Sequence, residues 1–439
     1  MPLHHPLPRL VTPAPVPLAQ GGTADYANFD GAATAVPLQA VADRVAEVLP
    51  YYASVNRGAG WHSQVSTSLY EEARRSTAAF VGARTDDVTV LTRNTTDAFN
   101  LLASALPVGP DGAPGRVLVL DAEHHANLLP WYETPGGATV LSTPGTIAGT
   151  LAALRAELAQ RPYVLVAVTG ASNVTGETLP LAEIAALAHR AGARVVVDGA
   201  QLLPHRRFSL DATGVDYVAF SGHKLYAPYG AGALVGPADW LDAAPPYLAG
   251  GGAVRRVLDP IIEWAPSPAR HEAGTPNLLG VVALAAAAEA ISAVPEEAVV
   301  AHERRHLGRL RESLESLPGV EPLRIWSDST DPVGIVSFAL ADHDPAQVAT
   351  YLSAEHGVGV RAGLFCAHPL LRRLGHPGGA VRASVSLGTT DEHVDRLIRG
   401  LTAYLSGGQR RTYTVVDGGW VVTDDAPAPS AGCVSAVMA

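Results

Sequence analysis

Five short stretches carry residue types that could act together on one small anionic ligand. Ser221-Gly222-His223-Lys224 directly follows the apolar run 215–220, which reads as a buried strand. Ligands of parallel α/β sheets bind beyond the carboxyl ends of strands. A lysine placed there can have a lowered pKa and act as a nucleophile or Schiff-base former, and Ser221 and His223 beside it can hold a phosphate. Asp198-Gly199-Ala200-Gln201 follows the run 195–197. Its carboxylate can pair with a cationic ring nitrogen, with Gln201 within reach of the same ligand. Arg93-Asn94-Thr95-Thr96-Asp97 follows the run 88–91 and opens a helix, where the hydroxyls of Thr95 and Thr96 and free backbone N–H groups make an anion site. Glu123-His124-His125-Ala126-Asn127 and Ser172-Asn173-Val174-Thr175-Gly176 follow the runs 117–120 and 164–168. His124 can stack on a planar ring, and Asn173 can hydrogen-bond a phenolic oxygen.

Taken singly, each stretch has a plain structural reading: a loop lysine, a strand-ending aspartate that caps a turn, a Thr or Asp helix cap, a loop histidine. The His124-His125 pair has no convincing third ligand nearby, so no metal is expected. Together, strand ends supply a ring stacker, a hydrogen bonder, an acid and a lysine, and a helix start supplies a phosphate site. That is the equipment a pyridine aldehyde phosphate, pyridoxal 5′-phosphate (PLP), requires.

The elements that must position these groups follow from periodicity. Apolar runs alternate with helical patterns from about 36 to 295, which predicts a mainly parallel α/β sheet. One such helix, 181–191, has Leu181, Ile184, Ala185 and Leu187 on one face and Gly192 at its C′ position. A second, α+β region follows, with long helices over 281–301 and on to 317. It continues with strands at 333–340, 358–361 and 381–387, and a helix opened by Asp344-Pro345. A capping box, Thr389-Thr390-Asp391-Glu392, starts a helix to about 405. An Asp417-Gly418 step between β-rich runs predicts a hairpin, and the composition after Asp425 predicts disorder.

With 439 residues, the chain is too long for a single core. The expected organisation is an arm (1–35, its first 24 or so residues Pro-rich and extended or mobile) against the smaller domain, a ligand-binding domain (36–295), a small domain (296–408), and a hairpin with a flexible tail (409–439). The net charge of −11, without a Lys/Arg block, argues against nucleic acid or an anionic membrane as partner. The stretch 281–294 is too short and weakly apolar to span a bilayer. Two cysteines, Cys366 and Cys433, do not make a disulfide framework and suggest a reducing compartment, hence a cytoplasmic protein.

These motifs, with Asn28-Phe29-Asp30-Gly31-Ala32-Ala33-Thr34, Glu272-Ala273-Gly274-Thr275-Pro276-Asn277, Arg361-Ala362-Gly363-Leu364-Phe365-Cys366-Ala367 and Arg382-Ala383-Ser384, resemble the class V aminotransferase superfamily of PLP enzymes. Within it, the match is to the cysteine desulfurase and selenocysteine lyase group. The resemblance covers roughly residues 28 to 405. It implies fold type I: a large domain with a mainly parallel seven-stranded sheet flanked by helices, plus a smaller α+β domain. It implies that Lys224 is the Schiff-base lysine and proton shuttle, that Asp198 keeps the pyridine nitrogen protonated, and that Gln201 and Asn173 lie near the phenolic oxygen. His124 would stack on the ring, and Thr95, Thr96, Ser221 and His223 would line the phosphate site. Thr275 would reach the phosphate of a neighbouring subunit, which implies a homodimer. Arg382 would pair with the substrate α-carboxylate, with Asn173 and Arg361 nearby.

Cys366 decides the reaction. In desulfurases a cysteine here takes the sulfur of a bound cysteine as a persulfide and alanine leaves, with a sulfur-acceptor protein as a possible partner. Two histidines commonly precede that cysteine in relatives; this chain has Leu364 and Phe365, and Arg361 and His368 are the local groups that could favour a thiolate. The alternatives are a C–S β-lyase, an epimerase or an aminotransferase in which Cys366 is a small buried hydrophobe, and a non-catalytic PLP-binding protein or scaffold.

Overall fold

The computed structural model describes residues 7–56 and 58–423. The expectations of a disordered segment after Asp425 and of Cys433 in a tail lie outside these residues, as do the first six residues of the Pro-rich arm.

Seven strands form the central sheet: β1 (Asp87–Thr92), β2 (Val117–Leu120), β3 (Ala138–Leu141), β4 (Leu165–Thr169), β5 (Arg194–Asp198), β6 (Tyr217–Ser221) and β7 (Gly232–Pro237), in the order β1-β7-β6-β5-β4-β2-β3. Pairing is parallel from β6 through to β3. Only β7 runs against both its neighbours, so the sheet is mixed but mainly parallel. Val166, Val168, Val195 and Val197 enter the apolar layer on one face, while Leu165, Ala167 and Val196 enter the layer on the other. That alternation follows from the twofold period of a strand, and both faces are covered, as parallel sheets require. Each fully buried valine or leucine among them contributes roughly 1.5–3 kcal/mol.

The helix Leu181–Arg190 links β4 to β5 and ends as expected, with Gly192 at φ 79 and its N–H bonded to the His189 carbonyl. The predicted long helix over 281–301 is instead two, Leu278–Ser292 and Glu296–Ser316, meeting at 87°. Pro295 sits at the N-cap of the second and cannot continue the first. No single described helix is long and apolar enough to cross a membrane.

A second sheet contains β8 (Val320–Pro322), β9 (Ile335–Leu340), β10 (Arg361–Gly363) and β11 (Ala380–Ser384), antiparallel in the order β8-β9-β11-β10. The predicted strand 358–361 is thus split: Val358–Gly359 pairs in parallel with Ala27–Asn28, and Arg361 begins β10. The cap of helix Asp391–Leu405 is Thr390, not Thr389, since Thr390 Oγ1 accepts from the His393 N–H. Thr389 Oγ1 instead closes the preceding turn by accepting from the Ser386 N–H, and Glu392 pairs with Arg396 rather than returning to the cap. The hairpin forms, with Asp417 and Gly418 at φ 50 and 79 as its two turn residues.

Candidate active site

Sheet and small sheet meet over a cavity of about 460 Å3 whose lining includes Lys224, Asp198, His124, Asn173, Cys366 and Arg382. Its floor is built from strand ends. Asp198 is the last residue of β5 and Ser221 the last of β6, and Lys224 follows three residues on. His124 and Asn173 occupy the turns after β2 and β4. A topology of parallel strands brings these stretches, far apart in sequence, to one edge.

Asp198 is buried, and burial raises its carboxyl pKa, with Lys224 and the Ala200 N–H on Oδ1 (2.9 Å) opposing that rise. Burial lowers the Lys224 ammonium to about 8, Asp198 opposing the fall and Arg382 adding to it. The lysine therefore holds a substantial neutral fraction near neutrality. His124 is pushed down to about 3 by burial and then by the cations Lys224 and Arg382, so its ring is neutral. Its Nδ1 accepts from the Ala126 N–H at 3.0 Å, which leaves the proton on Nε2. Behind the floor, fully buried Glu123 accepts from Asn127 Nδ2 (2.7 Å) and the Thr169 N–H (2.9 Å), and burial raises its pKa.

The end of the cavity expected to take the anion lies at the helix Thr95–Ser104. Asn94 caps it, its side chain accepting from the Asp97 N–H. Ser221 Oγ accepts from the Thr95 N–H at 2.8 Å and shares a hydroxyl contact with Thr95 at 2.7 Å, tying the helix start to the end of β6. Thr96 is exposed and turned to the cavity. Gly232 on β7 permits the approach: a Cβ there would meet the Asn94 Cα at 2.9 Å. His223 lines the cavity beside Thr34 Oγ1, 3.3 Å from its Nδ1.

Arg382, from the middle of β11, is 4% exposed. Burial lowers its pKa to about 10, Asp30 opposing. Its Nη1 donates to the Asn173 carbonyl at 2.8 Å, Nη2 lies 3.6 Å from Asp30 Oδ1, and Nε has no hydrogen-bond partner. Arg361 faces the same Asp30 oxygen at 3.5 Å. Ser384 fastens the Asp30 segment to β11, accepting from the Ala32 N–H and donating to the Phe29 carbonyl.

Cys366 is exposed, which overturns the expectation of a small buried hydrophobe in the alternative reading. Leu364 and Phe365 are both half-buried against the core, and Phe365 also lines the cavity. The loop is tethered by Asn173 Nδ2 donating to the Phe365 carbonyl and the His125 N–H donating to the Cys366 carbonyl, both at 2.8 Å.

Two expected site residues are not brought to the main cavity. Gln201 lies beneath it and donates from Nε2 to the Ala32 carbonyl at 2.7 Å. Thr275 is exposed on the segment before helix Leu278–Ser292 and lines none of the cavity. Sequence reading gave no role to Asp30 or Glu123. Asp30 and Glu123 stood inside matched stretches, but no spacing rule joins Asp30 to arginines more than three hundred positions away.

The donor set fits PLP: a buried carboxylate in want of a cation, a lysine lowered to about 8, a neutral imidazole on the wall, and hydroxyls at a helix start. The sequence model for aminotransferase class-V matches residues 27–397. The cysteine desulfurase of Dickeya dadantii (strain 3937) is 38% identical over 411 residues, 91% of this chain and 96% of that one. A probable cysteine desulfurase of Mycolicibacterium paratuberculosis is 36% identical, covering 87% of this chain and 55% of the relative. Among solved structures, the cysteine desulfurase CsdA of Escherichia coli superposes with a TM-score of 0.77 at 32% identity, over 87% of this chain and 95% of that one. That of Thermococcus onnurineus NA1 gives 0.78 at 30%, with the same coverage. The chain belongs to the class-V aminotransferase family of PLP enzymes, within its cysteine desulfurase group.

Proposed function

We propose that the protein converts L-cysteine to L-alanine and keeps the sulfur as a persulfide on Cys366. The observation that carries this reading is an exposed thiol on a tethered loop, lining the same cavity as Lys224, Asp198 and Arg382. Relatives at 34–38% identity over most of the chain bear the name cysteine desulfurase.

Asp198 would hold the cofactor's ring nitrogen, Thr95, Thr96, Ser221 and His223 its phosphate, and Lys224 its aldehyde carbon. When bound, PLP supplies the electron sink that weakens bonds at the substrate's Cα and Cβ. Lys224 Nζ, with its pKa near 8, moves protons to and from the substrate carbons. Arg382 takes the α-carboxylate through its unpartnered Nε and the adjacent Nη2, with Arg361 and Asn173 at the rim. His124, neutral, would lie against the ring without bringing a competing charge. Cys366 Sγ forms an S–S bond to the substrate sulfur as the Cβ–S bond breaks and Cβ gains a proton. Cysteine and thiol become alanine and persulfide, with no external oxidant.

Thr275 and the exposed Val257, Leu258, Ile261 and Ile262 of the hairpin 254–264 support a homodimer in which Thr275 completes the neighbour's phosphate site. A thiol that must stay nucleophilic supports a reducing, cytoplasmic setting and onward transfer to an acceptor protein. The test is product identification: alanine from cysteine, one extra sulfur on the Cys366 peptide by mass, and a dimer mass in solution. Pyruvate and ammonia in place of alanine would establish a β-lyase instead.

A further inference from the structure

We infer that Phe365 is a positioning residue for substrate carboxylate binding, acting through Arg382. The inference rests on the reading of Arg382 as the carboxylate site. Three observations join. The Phe365 ring lies under the Arg382 guanidinium, 5.2 Å from its carbon to the ring centroid. Arg382 is buried, with two polar attachments on its rim, Asn173 and Asp30, and an unpartnered Nε. Phe365 is also held in a left-handed backbone, φ 51, by the Asn173 side chain on its carbonyl.

A guanidinium is a flat cation, and it can present its edge to a carboxylate bidentately only if its plane is fixed. The Asn173 hydrogen bond fixes one point on the rim, Asp30 at 3.6 Å attracts without a hydrogen bond, and rotation of the plane is left open. The aromatic face fixes the plane, and a desolvated cation–π contact holds it there. The ring also occupies the face from which water would otherwise solvate Arg382. A leucine would fill much of the volume but offer no quadrupole, while a tyrosine would keep the face. An imidazole could itself gain a proton and repel the arginine. Around this point Lys224 and Arg361 add positive charge, and Asp30 and then Cys366 oppose it. The strained backbone makes the placement specific: without the Asn173 tether a bulky residue would leave φ 51.

The experiment uses the full-length holoenzyme, with Phe365→Leu and Phe365→Tyr. L-alanine, which carries no transferable sulfur, is titrated by calorimetry and by the cofactor's absorbance, and L-alaninamide serves as the ligand lacking a carboxylate. Phe365→Leu should weaken L-alanine by about tenfold, Phe365→Tyr by less than about twofold, and neither should alter L-alaninamide. With cysteine, the Leu variant should raise KM with kcat nearly unchanged. Unchanged L-alanine affinity in Phe365→Leu overturns the inference. So does equal weakening of L-alaninamide, which would mean that the loop itself has collapsed. Because L-alanine binding needs no sulfur transfer, these outcomes are read independently of whether Cys366 forms a persulfide.

Discussion

The cavity has a floor and a wall, and they are built on different principles. The floor groups Lys224, Asp198, His124 and Asn173 stand at or just beyond the carboxyl ends of strands whose residues are almost wholly buried, and none of the four has a left-handed backbone. The wall around Cys366 is a loop in which two successive L-residues, Phe365 and Cys366, sit at φ 51 and 53, held by the Asn173 side chain and the His125 N–H. Such residues cost on the order of 1–2 kcal/mol each, so tethers must keep them there. The floor is rigid because the sheet is rigid, and in the proposed reaction it would serve the chemistry common to the cofactor. The wall is specified contact by contact, and it would select the bond to be broken.

The contrast predicts separable failures. Lys224→Ala should lower turnover by roughly a thousandfold or more and change the cofactor's spectrum, since the floor loses its proton carrier and its covalent anchor. Cys366→Ala should abolish alanine formation from cysteine while leaving the spectrum and L-alanine affinity unchanged, as read by absorbance titration. If Cys366→Ala retained full turnover, the division of labour would fail, because the floor alone would then break the Cβ–S bond.

A subtler probe of the floor is pH. A lysine lowered to about 8 is protonated below that value and neutral above it. Capture of PLP by the apo-protein requires the neutral amine, so its rate should fall about tenfold per pH unit below 8 and level off above. Removing Arg382, which lowers the lysine's pKa, should move the midpoint upward; removing Asp198, which raises it, should move it downward. A midpoint near the ordinary lysine value, read by stopped-flow absorbance, would mean that water reaches Nζ freely.

The same contrast explains what the sequence made legible. Strand ends announce themselves: apolar runs at 117–120, 195–197 and 215–220 each stop at a polar cluster, and parallel topology sends such clusters to one edge. Lys224, Asp198, His124 and Asn173 could therefore be assembled before any coordinates. Loop contacts have no period. Nothing in the spacing of Asn173 and Phe365, or of Asp30 and Arg382, indicates that they touch, because those contacts arise where the two sheets meet. The double role of Asn173, whose carbonyl holds Arg382 while its amide holds the Cys366 loop, was invisible for that reason. Local capping was legible only to within a residue, as Thr389 and Thr390 show.

The smallest expected effect concerns Leu364, the residue before Phe365 in the loop. Leu364 and Phe365 both pack against the main core, but only Phe365 also lines the cavity. Of the two, only Phe365 is placed to bear on the substrate. Full truncation of a buried leucine costs about 2–5 kcal/mol, and a partly buried one proportionally less. Leu364→Ala should therefore reduce stability by about 1 kcal/mol, seen as a lower unfolding midpoint, with KM and kcat for cysteine within about twofold of the parent. A variant of unchanged stability but impaired sulfur transfer would place the Leu364 side chain on the reactive side of the loop. The strain at Phe365 and Cys366 would then serve to present residue 364 to the substrate rather than residue 365.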